Sequence, residues 1–248
     1  MHRSLLVLAA AAGIVGASQL SYAADLPVKG PVYKAPPAIA LYNWNGFYLG
    51  ANIGGGWQQN DNTGTNIASG AQSSSSQNRT GILGGGQLGY NYLVSPNFLL
   101  GVEGDFDGAD LTGSDDACRD ASHCSHSDGK TDWLATVRGR LGYVMNDWLL
   151  FATGGGAWTH GSSTRTITAS TNGSTGQSAS ASSTSDGWTV GGGVEYGFAR
   201  NWSAKLEYLY VETKGSTDFY YPTASSNTHV DHTGHLDVVR LGINYHFN

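Results

Sequence analysis

The sequence predicts an all-β protein: an eight-stranded antiparallel up-and-down transmembrane β-barrel with long extracellular loops and short periplasmic turns. Three observations carry this prediction. Eight segments alternate apolar and polar residues with period two, their connections alternate long and short, and eight charges within the segments fall on the face opposite the aromatics. The last twelve residues, Asp237 to Asn248, show the pattern most cleanly. Val239, Leu241, Ile243, Tyr245 and Phe247 share one face, and Arg240, Gly242, Asn244 and His246 share the other. A row of aliphatic and aromatic side chains needs a partner sheet or lipid to cover it.

Composition suits strands better than helices. Only 13% of the residues are charged, against a usual ~25%, and the 36 glycines are about twice the usual share of ~7%. Residues 1–23 read as a signal peptide: Arg3 gives a positive start, Leu5 to Val15 an apolar core, and Ser21-Tyr22-Ala23 a small-x-small cleavage site. That core is too short to span a bilayer, and no later stretch approaches ~18 uninterrupted apolar residues, which excludes a helical membrane protein. Cleavage would leave twelve bases against 19 acids, a formal charge of −7. Nucleic acid is therefore a poor partner, because phosphate binding needs basic patches. Residues 24–43 hold four of the six prolines and no periodic pattern, so they read as a Pro-rich periplasmic linker ahead of a barrel over 44–248.

The eight alternating segments are 44–57, 79–92, 97–108, 131–144, 148–160, 185–198, 202–212 and 235–247, with Pro96 and Pro222 falling between them, where no ladder hydrogen bond is lost. Short links (93–96, 145–147, 199–201) alternate with long polar ones (58–78, 109–130, 161–184, 213–234). An even strand number places both ends in the periplasm and the long connections outside the cell. A soluble eight-stranded barrel shares the strand count but buries its apolar faces inward.

Charge placement distinguishes the two. Glu103, Asp105, Arg138, Arg140, Glu195, Lys205, Glu207 and Arg240 all lie opposite the aromatic face of their segments. One Arg or Lys facing lipid at mid-bilayer costs roughly 2–4 kcal/mol, so the four bases facing outward would cost on the order of 10 kcal/mol, comparable to the stability of a whole domain. The charges therefore point inward, four acids against four bases. The interior of an eight-stranded barrel is just wide enough for side chains to fill, which favours a crosslinked salt-bridge network over a narrow porin-like channel for small solutes.

Fifteen aromatics cluster towards segment ends and are expected to face outward as interfacial girdles: Trp44, Phe47, Trp57, Tyr90, Tyr92, Phe98, Trp133, Tyr143, Trp148, Trp158, Trp188, Phe198, Trp202, Tyr245 and Phe247. Glycine triplets at 54–56, 84–86, 154–156 and 191–193 suggest thin places where the wall bends or Arg side chains cross the lumen. Residues 84–89 match G-x-G-x-x-G, but a nucleotide-binding unit needs a following helix and none is predicted. Cys118 and Cys124, in an exported loop, are expected to form a disulfide; their spacing, even with His123 and His126 nearby, fits no standard zinc pattern. His229, Asp231, His232 and His235 end the last long connection without a recognisable nucleophile motif, so neither an enzyme nor a cofactor is expected.

The segments A-D-L-P-V-K-G-P-V-Y-K-A-P-P (24–37), Y-N-W-N-G-F-Y-L-G-A-N-I-G-G-G-W (42–57) and R-L-G-I-N-Y-H-F-N (240–248) resemble the outer-membrane immunogenic protein family of alphaproteobacteria across the whole mature chain. The resemblance implies an abundant surface barrel in the outer membrane of a Gram-negative bacterium, contributing to envelope integrity. It also implies insertion by the outer-membrane assembly machinery, which would read Tyr245 and Phe247 as a C-terminal signal, although here Asn248 follows the terminal aromatic. Outer-membrane lipid, lipopolysaccharide and host or environmental surface ligands of the loops are the expected partners.

Overall fold

The computed structural model describes residues 42–170, 175–221 and 227–247; the expected signal peptide, the linker as far as residue 41, and Asn248 lie outside the described residues. Eight strands follow one another: β1 (Gly46–Asn66), β2 (Gln72–Ser95), β3 (Phe98–Asp120), β4 (His123–Met145), β5 (Trp148–Ala169), β6 (Ser178–Ala199), β7 (Trp202–Phe219) and β8 (Thr228–Phe247). Each pairs antiparallel with its sequence neighbours, and β8 returns to β1 from Phe47↔Phe247 to Asn66↔Thr228, closing the barrel. Closure leaves no strand edge unpaired, which hydrocarbon demands.

The wall is inverted relative to a soluble barrel. Ile53, Ile82, Val102, Val137 and Leu241 on the outer face are 60–66% exposed, whereas Arg138, Lys205 and Arg240 on the inner face are 1% exposed. Cross-strand aromatic pairs ring the rim at the short-turn end: Phe47–Tyr90, Phe98–Tyr143, Trp148–Tyr196 and Trp202–Tyr245, with centroids 4.6–5.3 Å apart. Each such pair contributes about 0.5–1.5 kcal/mol beyond the area it covers. A second belt includes Trp57, Trp133, Trp158 and Trp188, with Trp188 against Tyr210 at 5.5 Å. Beyond it the outward positions become polar or charged, among them Gln59, Asp61, Asp110 and Asp186. From one belt to the other, both aromatics included, a strand such as β1 spends eleven residues (Phe47 to Trp57), the length a tilted strand needs to cross a bilayer.

The strands extend well beyond that span. The four long connections, expected as loops, are mostly paired strand: β1 and β2 stay in register to Thr65↔Gln72, and β3 and β4 to Asp120↔His123. Apolar periodicity ends at the membrane boundary because both faces of the extension meet polar surroundings. Ladder hydrogen bonds and hydroxyl pairs such as Thr164–Ser180 (2.9 Å) and Thr166–Ser178 (2.8 Å) continue the pairing without it. At the opposite rim the β4–β5 turn is closed by Asn146 in the left-handed region, φ 56°, which asparagine tolerates well.

Trp44 departs from its expected outward position. It is fully buried, donates from Nε1 to the Asn146 carbonyl at 3.3 Å, and packs with Leu99, Val144 and Leu149 beneath the barrel mouth. Its parity matches the inward Tyr48 and Asn52 rather than the outward Phe47 and Trp57, so its place at a segment end was no guide to its face.

Candidate functional site in the barrel lumen

The lumen is filled in layers, counted here from the short-turn rim. The lowest is the apolar cap of Trp44, Leu99, Val144 and Leu149. Above it Arg140 pairs with Glu195, which also accepts from Ser203 Oγ at 2.5 Å and Asn244 Nδ2 at 2.7 Å. The Arg140 guanidinium lies 3.9 Å from the Phe151 ring centroid and donates to the Tyr48 hydroxyl at 3.3 Å. Tyr48 in turn donates to Glu103 Oε2 at 2.6 Å, linking this layer to the next.

The middle layer is the main network. Arg138 pairs with Glu103, with Asp105 at 2.8 Å and with Glu207 at 2.7 Å. Arg240 reaches Asp105 at 3.0 Å, Asp107 at 2.6 Å and Glu207 at 2.8 Å, while Lys205 sits 3.0 Å from Glu103 and 3.5 Å from Glu207. All eight charges singled out in the sequence meet here or in the Arg140–Glu195 layer. They come from β3, β4, β6, β7 and β8, so the pairs tie opposite walls together.

Asp107 was not among those eight, and it corrects the expected balance to five acids against four bases. It faces inward at the Leu134 register position, and its parity with Glu103 and Asp105 was the signal available. Tyr48, Gln87 and Asn244, members of the network that carry no charge to mark them, are also buried, as is His246.

Above the charges the lumen becomes apolar. Leu83, Leu111, Leu134, Leu209, Val211, Leu236 and Val238 form one buried cluster with Ala109 and Ala157. Sequence reading missed this layer because its residues interrupt the polar face of otherwise alternating strands. Glycine makes room for it: a Cβ on Gly56 would lie 2.9 Å from Leu111 Cδ2, and one on Gly191 would lie 2.7 Å from Leu209 Cδ2. The triplets serve the charged layer in the same way. A Cβ on Gly54 would lie 2.7 Å from Arg240 Cβ, and one on Gly155 would lie 2.7 Å from Arg138 Cα. The thin places therefore sit beside the arginines that cross the lumen.

Beyond the apolar layer, the strand extensions enclose a polar vestibule lined by residues such as Gln58, Gln77, Arg79, Ser125, Arg165 and His232. The histidines flagged in the sequence divide between the two faces of β8. His232 faces in, 2.9 Å from Ser185 Oγ, whereas His235 meets the Tyr210 hydroxyl at 2.8 Å and His229 sits between Asp218 (2.6 Å) and Asp231 (3.4 Å). His126 repeats the latter arrangement with Asp116 (2.8 Å) and Asp128 (3.4 Å). Hydrogen bonding to Asp116 and Asp218 raises the pKa of His126 and His229 respectively, while burial lowers that of His232, with the nearby Arg79 adding to the effect. Cys118 and Cys124 face each other across the β3–β4 hairpin and form a disulfide, Cα–Cα 4.1 Å. Tyr245 and Phe247, the expected assembly signal, lie on the lipid face of β8 with ring centroids 5.1 Å apart.

Comparisons with known proteins show the family of the chain. A family model described as outer membrane protein beta-barrel domain matches residues 7–247. The 31 kDa outer-membrane immunogenic protein of Brucella melitensis biotype 1 is similar at 32% identity, covering 97% of this chain and 98% of the relative. The 22 kDa outer membrane protein of Rhizobium leguminosarum bv. viciae is 29% identical, covering 85% and 82%. Among solved structures, the outer membrane protein OprG from Pseudomonas aeruginosa is similar with a TM-score of 0.44 at 14% identity, covering 82% of this chain and 97% of that one. This chain belongs to the outer-membrane β-barrel protein family that includes the immunogenic proteins, and its place is the outer membrane of a Gram-negative cell.

Proposed function

We propose that the protein is a closed structural barrel that contributes to envelope integrity and presents its strand extensions to the cell's surroundings. The observation that carries this reading is the stacking of a charged layer and an apolar layer across one lumen. Three bases and four carboxylates in the middle layer are almost fully buried. The apolar layer above them offers a hydrated ion no ligand to replace its water, and partial loss of hydration is costly.

The same geometry suits a mechanical role. Buried ion pairs do not by themselves guarantee stability, but their multiple partners fix which walls face each other. The Brucella relative is named for immunogenicity, which supports a surface role. In this reading the assembly machinery recognises Tyr245 and Phe247, lipopolysaccharide surrounds the outer belt, and surface ligands meet the hairpins. The competing reading, a narrow pore for small solutes, needs a path past the apolar layer. Planar-bilayer recording of the refolded protein separates the two: a silent bilayer supports the closed barrel, and steady single-channel steps support the pore.

A further inference from the structure

We propose that the vestibule above the plug is a binding site for a compact oxyanion, a phosphate or sulfate group either free or carried on a sugar, held chiefly by Arg79 with help from Arg165. The inference goes beyond the closed-barrel reading and stands whether or not the lumen conducts.

The contrast between the two polar compartments motivates it. In the plug every base has at least one carboxylate within 3.0 Å. In the vestibule neither arginine has one among the described residues. Arg79 donates from Nε and Nη2 to Gln77 Oε1 at 3.0 and 2.8 Å, and from Nη1 to Thr131 Oγ1 at 3.3 Å. Arg165 donates from Nε and Nη2 to Ser125 Oγ at 3.0 and 2.9 Å. Both arginines are half-buried, and among the described residues their hydrogen-bond acceptors are neutral. The carboxylate of Asp132, whose charge reaches Arg79, lies instead 3.6 Å from Lys130 Nζ and 3.5 Å from Ser162 Oγ.

A partly desolvated cation with no carboxylate in contact is a site that lacks half of a favourable pair. The protein carries a formal net charge of −6, so general attraction does not bring anions to it. The cavity, about 90 Å³ for water-sized occupants, has room for a tetrahedral oxyanion with a few waters. Its wall supplies hydroxyl and amide donors, including Ser127, Ser185 and Gln58, and His232 faces it with Nε2 at the Ser185 hydroxyl. Arg presents a planar fork of donors that matches phosphate and sulfate oxygens, and the apolar layer beneath closes the floor.

The test uses the full mature chain refolded in a zwitterionic detergent without phosphate, titrated calorimetrically with sodium sulfate, sodium phosphate, glucose 6-phosphate and glucose at constant ionic strength set by chloride. The expected result is one saturable site for sulfate and phosphate and none for glucose. Arg79→Gln should weaken it at least about tenfold, the loss of one charge-assisted contact, and Arg165→Gln by a smaller factor. Glucose 6-phosphate binding as well as phosphate shows that a sugar-borne group is accepted, and its exclusion shows a site for free oxyanions. Heat-modifiable gel migration verifies that each variant is folded. Absence of saturable binding, undiminished binding in the folded double variant, or an equal loss on the outward-facing control Lys214→Gln would overturn the proposal.

Discussion

Replacing Arg138 by Gln removes the base that three carboxylates share, Glu103, Asp105 and Glu207. Five inward acids then face three bases, because Asp107 adds an acid to the lumen. The complementary variant Glu103→Gln leaves four against four, and its amide oxygen can still accept from Tyr48. Breaking one side of a buried ion pair costs about 3–5 kcal/mol. Arg138→Gln should fall within that range, and Glu103→Gln about 1–2 kcal/mol below it, since Lys205 keeps Glu207 at 3.5 Å and Arg138 keeps two partners. For a chain of this length the larger loss corresponds to a thermal midpoint lowered by about 6–20 °C. The assay is urea-dependent folding into lipid vesicles followed by tryptophan fluorescence. Lys214→Gln serves as the surface control: its pair with Glu212 at 3.5 Å has a lysine 72% exposed, so the change should stay within about 0.5 kcal/mol. An Arg138→Gln loss below about 1 kcal/mol, or a Glu103→Gln loss exceeding it, would refute the account of the network.

Other consequences can be measured separately. Gly155→Ala should destabilise by at least about 2 kcal/mol by driving a methyl into the Arg138 backbone, whereas Gly104→Ala, whose Cβ would meet nothing closer than the Thr136 carbonyl at 3.8 Å, should change stability little; parallel urea titrations compare them. Proton NMR titration of the imidazoles should place His126 and His229 above the usual histidine midpoint and His232 below it. The first two then stabilise their hairpins fully below about pH 6.5 and lose that contribution as pH rises through their raised values, while the contribution of His232 is present above about pH 6.5 and lost as pH falls through its lowered value. Reducing Cys118–Cys124 should speed proteolysis near residues 121–122 and leave the barrel's unfolding midpoint within about 2 °C, because the bridge closes only a hairpin tip outside the membrane span.

Much of the barrel was legible because lipid imposes a strict rule on one face of each strand. Phe98, Leu100 and Val102 could not share a face with Glu103, so parity alone placed all eight luminal charges. The rule weakens wherever lipid stops acting. It says nothing about the strand extensions, where Ser180 and Thr164 pair with no apolar stripe to mark them. Trp44 was grouped with the girdle for its place at a segment end, although its parity opposes that of Phe47 and Trp57, and it turns inward under the mouth. The rule also leaves the inner face free to carry any residue that packs, so Leu83, Leu111 and Leu236 seal the lumen from positions where polar residues were expected. Asp107 obeyed the parity rule and was overlooked at the segment's end. The vestibule arginines depend on three-dimensional pairing: Arg79 differs from Arg138 only in what surrounds it.

The central claim is that the stacked layers close the lumen, and single-channel recording of the refolded protein in a planar bilayer at high salt tests it most directly. The account predicts no steady conductance steps in the native protein and none when the apolar layer alone is changed by Leu111→Ala, because the charged layer still fills the lumen below it. Resolvable, long-lived steps in the native protein that grow on Arg138→Ala would contradict the account and make the network the constriction of a pore.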